Sequence, residues 1–176
     1  MERAPLRKRP YDLIFLLFFV VNLGFVTYVV DLEQLVIADP ANFDYPIWPP
    51  APLVDLVHWY GNAYDPLLMA RPPFWRMTIW IDVIAFGPFY AAAIYAFIRG
   101  RDWIRVPALV WSGLMLANVL IILMDEKYGV TPAPHFAQVV AANALWLLMP
   151  IATVLRLRRD HPFQRVSAPE PERVIA

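Results

Sequence analysis

Apolar positions along the chain gather into four long runs, about 11–30, 75–98, 104–124 and 137–155. A hydrocarbon core about 30 Å thick takes roughly 20 residues of helix at 1.5 Å rise, and each run is long enough. Each also stops at charge or turn chemistry: Asp31 closes the first, Arg99-Gly100-Arg101 the second, Asp125-Glu126-Lys127 the third and Arg156 to Arg159 the fourth. The pattern predicts an all-α membrane protein, a four-helix transmembrane bundle. A basic segment precedes the first run, as in a signal peptide. That run is too long for one, however, and no small-x-small cleavage site follows, so it reads as a retained helix.

The connection between helices one and two, 32–74, is long for a small membrane protein, which favours a lid over a surface loop. Within it "DYPIWPPAPL" is Pro-rich and expected to be extended. "LVDLVHWYGNAYDPLLM" carries Leu53, Leu56, Val57 and Tyr60 at helical spacing, which suits a short amphipathic helix at the interface, with Trp48, Trp59 and Trp75 as an aromatic belt. Arg3, Arg7, Lys8 and Arg9 precede helix one, Arg99, Arg101 and Arg105 bracket the middle turn, and Arg156, Arg158, Arg159 and Arg165 follow helix four. The positive-inside rule therefore puts both termini and the middle turn in the cytoplasm, with the 32–74 loop outside. The host would be the endoplasmic reticulum membrane in a eukaryote or the cytoplasmic membrane in a bacterium. The chain divides into a basic N-terminus (1–10), the four-helix domain (11–157) and a tail (158–176) expected to be disordered, with "VSAPEPERVIA" Pro-rich from Val166.

Composition sharpens the class. The chain is 60% hydrophobic with a mean hydropathy of +0.48, beyond the usual soluble range. Lys+Arg and Asp+Glu balance at 15 each, and no basic stripe with interleaved aromatics exists, so nucleic acid is set aside. The absence of cysteine excludes disulfides, thiol nucleophiles and Cys-ligated metals. His58, His135 and His161 fall outside the spans without ligand spacing, so no metal, haem or other cofactor is expected.

The polar residues inside apolar runs carry the functional expectation. Asp82 lies about two turns inside helix two, where a carboxylate costs several kcal/mol unless water or a partner meets it. Either Asn118 or Asn143 could bond it between helices, or it serves a ligand or catalysis. Thr78, Ala85, Phe86 and Phe89 share its helical face and could wall a cavity. Asp31 is either the membrane boundary or part of the site. Asp65 before Pro66 has the form of an N-cap. Asn118, Asn143 and Gln138 are candidate interhelical bonds, and Pro88, Pro107 and Pro150 can open helices toward a cavity. Asp12, at the far end of helix one, is expected to lie outside the site.

These features together resemble the EXPERA family, four-helix membrane proteins that include the sigma-2 receptor and the emopamil-binding protein, a sterol isomerase. "YDPLL" (64–68), "YAFIRGRDWIRVPA" (95–108) and Asp31 look like the sigma-2 branch; "LVWSG" (109–113), "NVL" (118–120) and "NALWLLMP" (143–150) look like the isomerase branch. The resemblance implies that Asp31 and Asp65 fall on two acids associated with cationic ligands, and Asp82 on a glutamate. Asn143 and Trp146 fall on a polar and an aromatic pocket residue of the isomerase. The isomerase's first-helix His and Glu fall on Phe18 and Asn22, and an acid of its outer loop falls near Trp59, which are departures.

Two functions follow as expectations. In the first, a cavity lined by Asp31, Asp65, Asp82, Asn118, Asn143 and Trp146 binds a sterol- or isoprenoid-like lipid and cationic amphiphilic small molecules, with Trp146 offering a cation–π face. In the second, Asp82 and Asp31 act as acid and base in a double-bond shift through a carbocation. A proton-coupled exporter is disfavoured, since such small four-helix proteins carry their acid in helix one and have short loops. The bilayer is the surrounding partner, and a homodimer stays open.

Overall fold

Four long helices run the length of the bundle in the computed structural model of the chain, which describes residues 2–165. In chain order the helices are α1 (Asp12–Val36), α2 (Ala51–Ala63), α3 (Leu67–Ala70), α4 (Pro73–Arg99), α5 (Asp102–Tyr128) and α6 (Phe136–Arg156). α1, α4, α5 and α6 are each long and apolar enough to cross a membrane, so the chain is an all-helical multi-pass membrane protein. The described ends of the chain, around β1 (Glu2–Arg3) and Gln164–Arg165, and the α4–α5 turn lie at one end, the terminal end; α2, α3 and the α5–α6 turn lie at the other, the loop end.

Every expected span is present and somewhat longer. α1 continues past Asp31 to Val36 and stops only at Ile37, whose backbone turns extended (φ −99°, ψ 106°) ahead of Pro40. Asp31 is therefore an interior residue of α1, not its closing charge. α5 likewise absorbs Asp125-Glu126-Lys127, of which Glu126 and Lys127 are good helix formers, before Gly129 leaves the helix.

α1 packs on α4, and α5 packs along α6. In lipid there is no water to exclude between helices, so close van der Waals fit holds them. The fit is aromatic. Phe19, fully buried, stacks on Tyr90 and meets Phe89, Phe97 and Trp111 edge-on, with centroids 5.5–6.1 Å away. Gly87 sets the approach of α4 to α1, since a Cβ there would sit 3.0 Å from Thr27 Cγ2 and 3.0 Å from the Tyr28 hydroxyl. Large apolar side chains such as Leu17, Val110 and Leu148 face outward, as a bilayer allows.

At the terminal end Asp12, 1% exposed, is ion-paired with both Arg9 and Arg156. The two guanidiniums clasp the ring of Phe163, each 4.9 Å from its centroid. β1 (Glu2–Arg3) pairs antiparallel with β2 (Gln164–Arg165). Residues 158–165 thus fold back onto the bundle where disorder was expected, because the 1%-exposed Phe163 ring has this cationic slot to fill. The stretch from Val166 lies outside the described residues.

At the loop end a second ionic cluster ties the 37–72 connection down. Arg71 takes left-handed backbone (φ 47°) and donates through Nη2 to both oxygens of Glu33, at 2.8 and 3.0 Å, and through its other nitrogens to the carbonyls of Ile37 and Leu68. His58 on α2 donates to the same carboxylate at 2.8 Å. α2 is thereby held across the loop end. Its buried face is Val54, Val57 and Gly61, and Leu56 is 45% exposed.

Candidate functional site

The site begins with two disturbed helices. The ladder of α1 widens to π-type turns over Asn22–Asp31, and that of α4 does so over Asp82–Phe86. Pro88 follows the second segment and has no N–H to continue a regular ladder, so the hydrogen bonds before it must re-form. Wide turns of this kind recur at functional sites. Here they pack against each other, and each carries an aspartate at one end.

Those two aspartates meet. The Asp31 and Asp82 carboxyl groups face each other at close range, and two acids so placed in a dry site share a proton, since both cannot ionise cheaply. Thr27 Oγ1 donates to Asp82 Oδ1 at 2.5 Å. Thr27 is fully buried, and the aspartates are 7% and 8% exposed. Asp82 is bonded by Thr27 and Asp31, and neither asparagine takes the interhelical role considered for it. Asn143 Nδ2 donates to Val139 O at 2.9 Å, one turn back on its own helix.

A cavity of about 410 Å³ opens beside this pair, toward the loop end. The structure brings all six expected residues, Asp31, Asp65, Asp82, Asn118, Asn143 and Trp146, into its wall. The remainder is mostly apolar, with Phe25, Val26 and Val30 from α1, Met115 and Val119 from α5, and α2 closing the top through Leu56, Val57 and Tyr60. Trp146 donates its indole N–H to Asn22 Oδ1 at 2.8 Å, and Asn22 Nδ2 donates to Phe18 O at 2.8 Å.

Three expectations need correction. Asp65 is not the N-cap of α3: that position falls on Pro66 with no capping side-chain bond, and Asp65 stands one residue ahead with its carboxyl near Glu126 of α5 and the backbone of Leu67 and Leu68. Burial pushes the Asp65 carboxyl above its ordinary range, and Glu126 and that backbone draw it back. Burial, with the neighbouring Asp65 and Glu126, also raises the Tyr60 phenol. Trp75 is no belt residue. It is 6% exposed and donates to Gln34, because α1 is longer than expected and carries that amide to it. Asp12 lies outside the site as expected but is a buried structural charge, and Gln138, a candidate for interhelical bonding, is exposed.

Thr27, Gln34 and Glu126 belong to the site and were not singled out. Thr27 could have been found from its place four residues before Asp31. Glu126 was masked by its charged neighbours, and Gln34 by the helix end placed too early.

The chain matches the family model described as EXPERA (EXPanded EBP superfamily) over residues 52–157. It is 32% identical over 143 residues to Sigma intracellular receptor 2 of Xenopus tropicalis, covering 75% of this chain and 79% of that protein. Sigma intracellular receptor 2 of Homo sapiens is 28% identical over 122 residues, 68% of this chain and 64% of the relative. Having four spanning helices around one acid-lined cavity and a family match over most of its length, the chain belongs to the EXPERA family.

Proposed function

We propose that this protein binds a sterol- or isoprenoid-like lipid, and cationic amphiphiles, in the cavity between its helices. The observation that carries the reading is an apolar chamber of about 410 Å³ with a hydrogen-bonded carboxyl pair in one wall. That volume falls within the range of small-ligand pockets, and apolar walls with a few convergent polar groups are their usual chemistry. A pair holding one proton carries one net negative charge, which suits a single ammonium. Trp146 adds an aromatic surface for it. A hydroxyl would bond the same oxygens without charge. The basic residues at the terminal end support an orientation with that end in the cytoplasm and the lid on the opposite side, in the endoplasmic reticulum membrane of a eukaryote or the cytoplasmic membrane of a bacterium.

The contact between Asp31 and Asp82 also favours a second reading, a double-bond isomerase. The protonated carboxyl would give its proton to one alkene carbon, leaving a cation on the neighbouring carbon. The ionised carboxyl would remove a proton from the next carbon, and the double bond would re-form one position along. Incubating the purified chain with candidate sterols, then analysing bound lipid and product by mass spectrometry, tests both readings. Bound, unchanged sterol supports binding alone, a shifted double bond supports isomerisation, and no retained lipid refutes both.

A further inference from the structure

We infer that the cavity selects ligands bringing a hydrogen-bond donor, a hydroxyl or ammonium, over matched ligands bringing only an acceptor, and that Asn22 and Gln34 set this preference without lining the cavity. The inference rests on the lipid-binding reading above. It comes from following each polar hydrogen in the wall to its partner.

The Trp75 indole N–H is engaged by Gln34 Oε1, and the Trp146 indole N–H by Asn22 Oδ1 at 2.8 Å. Thr78 Oγ1 donates to Trp75 O at 2.8 Å, and Asn143 Nδ2 to Val139 O at 2.9 Å. The proton of the carboxyl pair lies between Asp31 and Asp82. The Tyr60 hydroxyl has no hydrogen-bond partner but is sealed into the wall, with no surface open to a ligand. Among the described residues this leaves the second N–H of Asn143, Asn118, whose amide offers donor and acceptor alike, and Trp59, 59% exposed at the rim. Acceptors remain plentiful: both carboxyl groups and Asn143 Oδ1 look for hydrogens.

An indole N–H is a donor with no acceptor role, so once capped it has nothing further to offer a ligand. Asn22 and Gln34 are each 1% exposed, and their caps are dry and hard to displace. A ketone oxygen entering such a wall gives up its bonds to water and meets lone pairs, whereas a hydroxyl meets partners.

Equilibrium binding of cholestanol and of its ketone, cholestanone, to the full purified chain in detergent tests this. The alcohol is expected to bind about 10-fold or more tightly, the scale of one well-made bond against one unmet group. Asn22→Leu and Gln34→Leu each free an indole N–H to turn toward a ligand oxygen. Each is expected to narrow the ratio several-fold by strengthening ketone binding. Asn22→Asp, which in its neutral form keeps both bonds, is expected to restore the wild-type ratio. Equal affinities in the wild type overturn this inference and leave the lipid reading standing; binding of neither sterol removes both. An unchanged ratio in whichever leucine variant melts like wild type removes that residue from its role. Should one leucine variant not fold, the other and the wild-type ratio still decide.

Discussion

Replacing Glu33 with glutamine keeps its shape and removes its charge, which tests what holds the lid. Glu33 is fully buried and receives two bonds from Arg71, at 2.8 and 3.0 Å, and one from His58 at 2.8 Å. The glutamine retains a single acceptor oxygen and turns an N–H₂ toward donors, leaving the 3%-exposed Arg71 side chain without a counter-charge. Breaking a buried ion pair from one side costs about 3–5 kcal/mol. Arg71 keeps the carbonyls of Ile37 and Leu68, at 2.5 and 2.9 Å, which favours the lower end, about 3 kcal/mol. For a chain of this size that is a fall in Tm of about 6–12 °C. Thermal unfolding in detergent, followed by the fluorescence of the seven tryptophans, reads it directly. Asp160→Asn is the comparison, because its pair with Arg105 is 85% exposed on the aspartate side and should leave Tm unmoved. Since α2 also closes the cavity, lipid affinity is expected to fall along with Tm in Glu33→Gln. A Glu33→Gln protein melting within 2 °C of wild type would refute the clamp (about 0.5–1 kcal/mol by the same conversion).

Replacing both Asp31 and Asp82 with asparagine removes the charge of the carboxyl pair that faces the cavity and should weaken a cationic amphiphile about 10-fold or more at neutral pH, and a neutral sterol alcohol less, by competition binding. A loss equal for both ligands would mean the cavity had collapsed instead. Burial raises the Asp65 carboxyl in the fold, so stability is fullest below its ordinary value of 3.8 and is lost as pH rises through the raised folded value. Tm should therefore fall more steeply from acid to neutral pH in wild type than in Asp65→Asn, and parallel curves would refute this. Gly87→Ala drives a methyl against Thr27 and Tyr28 and should lower stability by about 1–3 kcal/mol in the same melts, loosening the hydroxyl that bonds Asp82; an unchanged Tm would show that α1 can yield there.

The spans were legible because roughly 20 apolar residues have no other stable use, and Asp82 was legible because an acid at that depth demands a reason. The convergence of Asp31, Asn143 and Trp146 near Asp82 followed from helical rise and the shared loop-end depth. What could not be read was the partner of each group. Asp82 is bonded by Thr27 only because α1 departs from regular turns there, and no propensity scale marks a π-type segment of that length. The boundary charges misled in a consistent way: Asp31, Glu126 and Asp12 all resemble helix-end residues, yet each is buried against a partner distant in sequence. Phe163 carries the same lesson, since a lone aromatic in a polar tail shows its slot only once Arg9 and Arg156 stand on either side of it.

That slot bears on the order in which the protein is made. β1 leaves the ribosome before any of the four spans, and its partner strand, Gln164–Arg165, emerges only after all four have been delivered to the membrane. Asp12 must wait for Arg156 in the same way, carrying one of its two cationic partners from the start in Arg9. The early chain is thus a set of inserted helices whose terminal end stays unfastened, and translation of the segment after α6 fastens it. Premature stop codons before Phe163 should yield proteins that insert fully but turn over fast, a defect of completion and not of targeting.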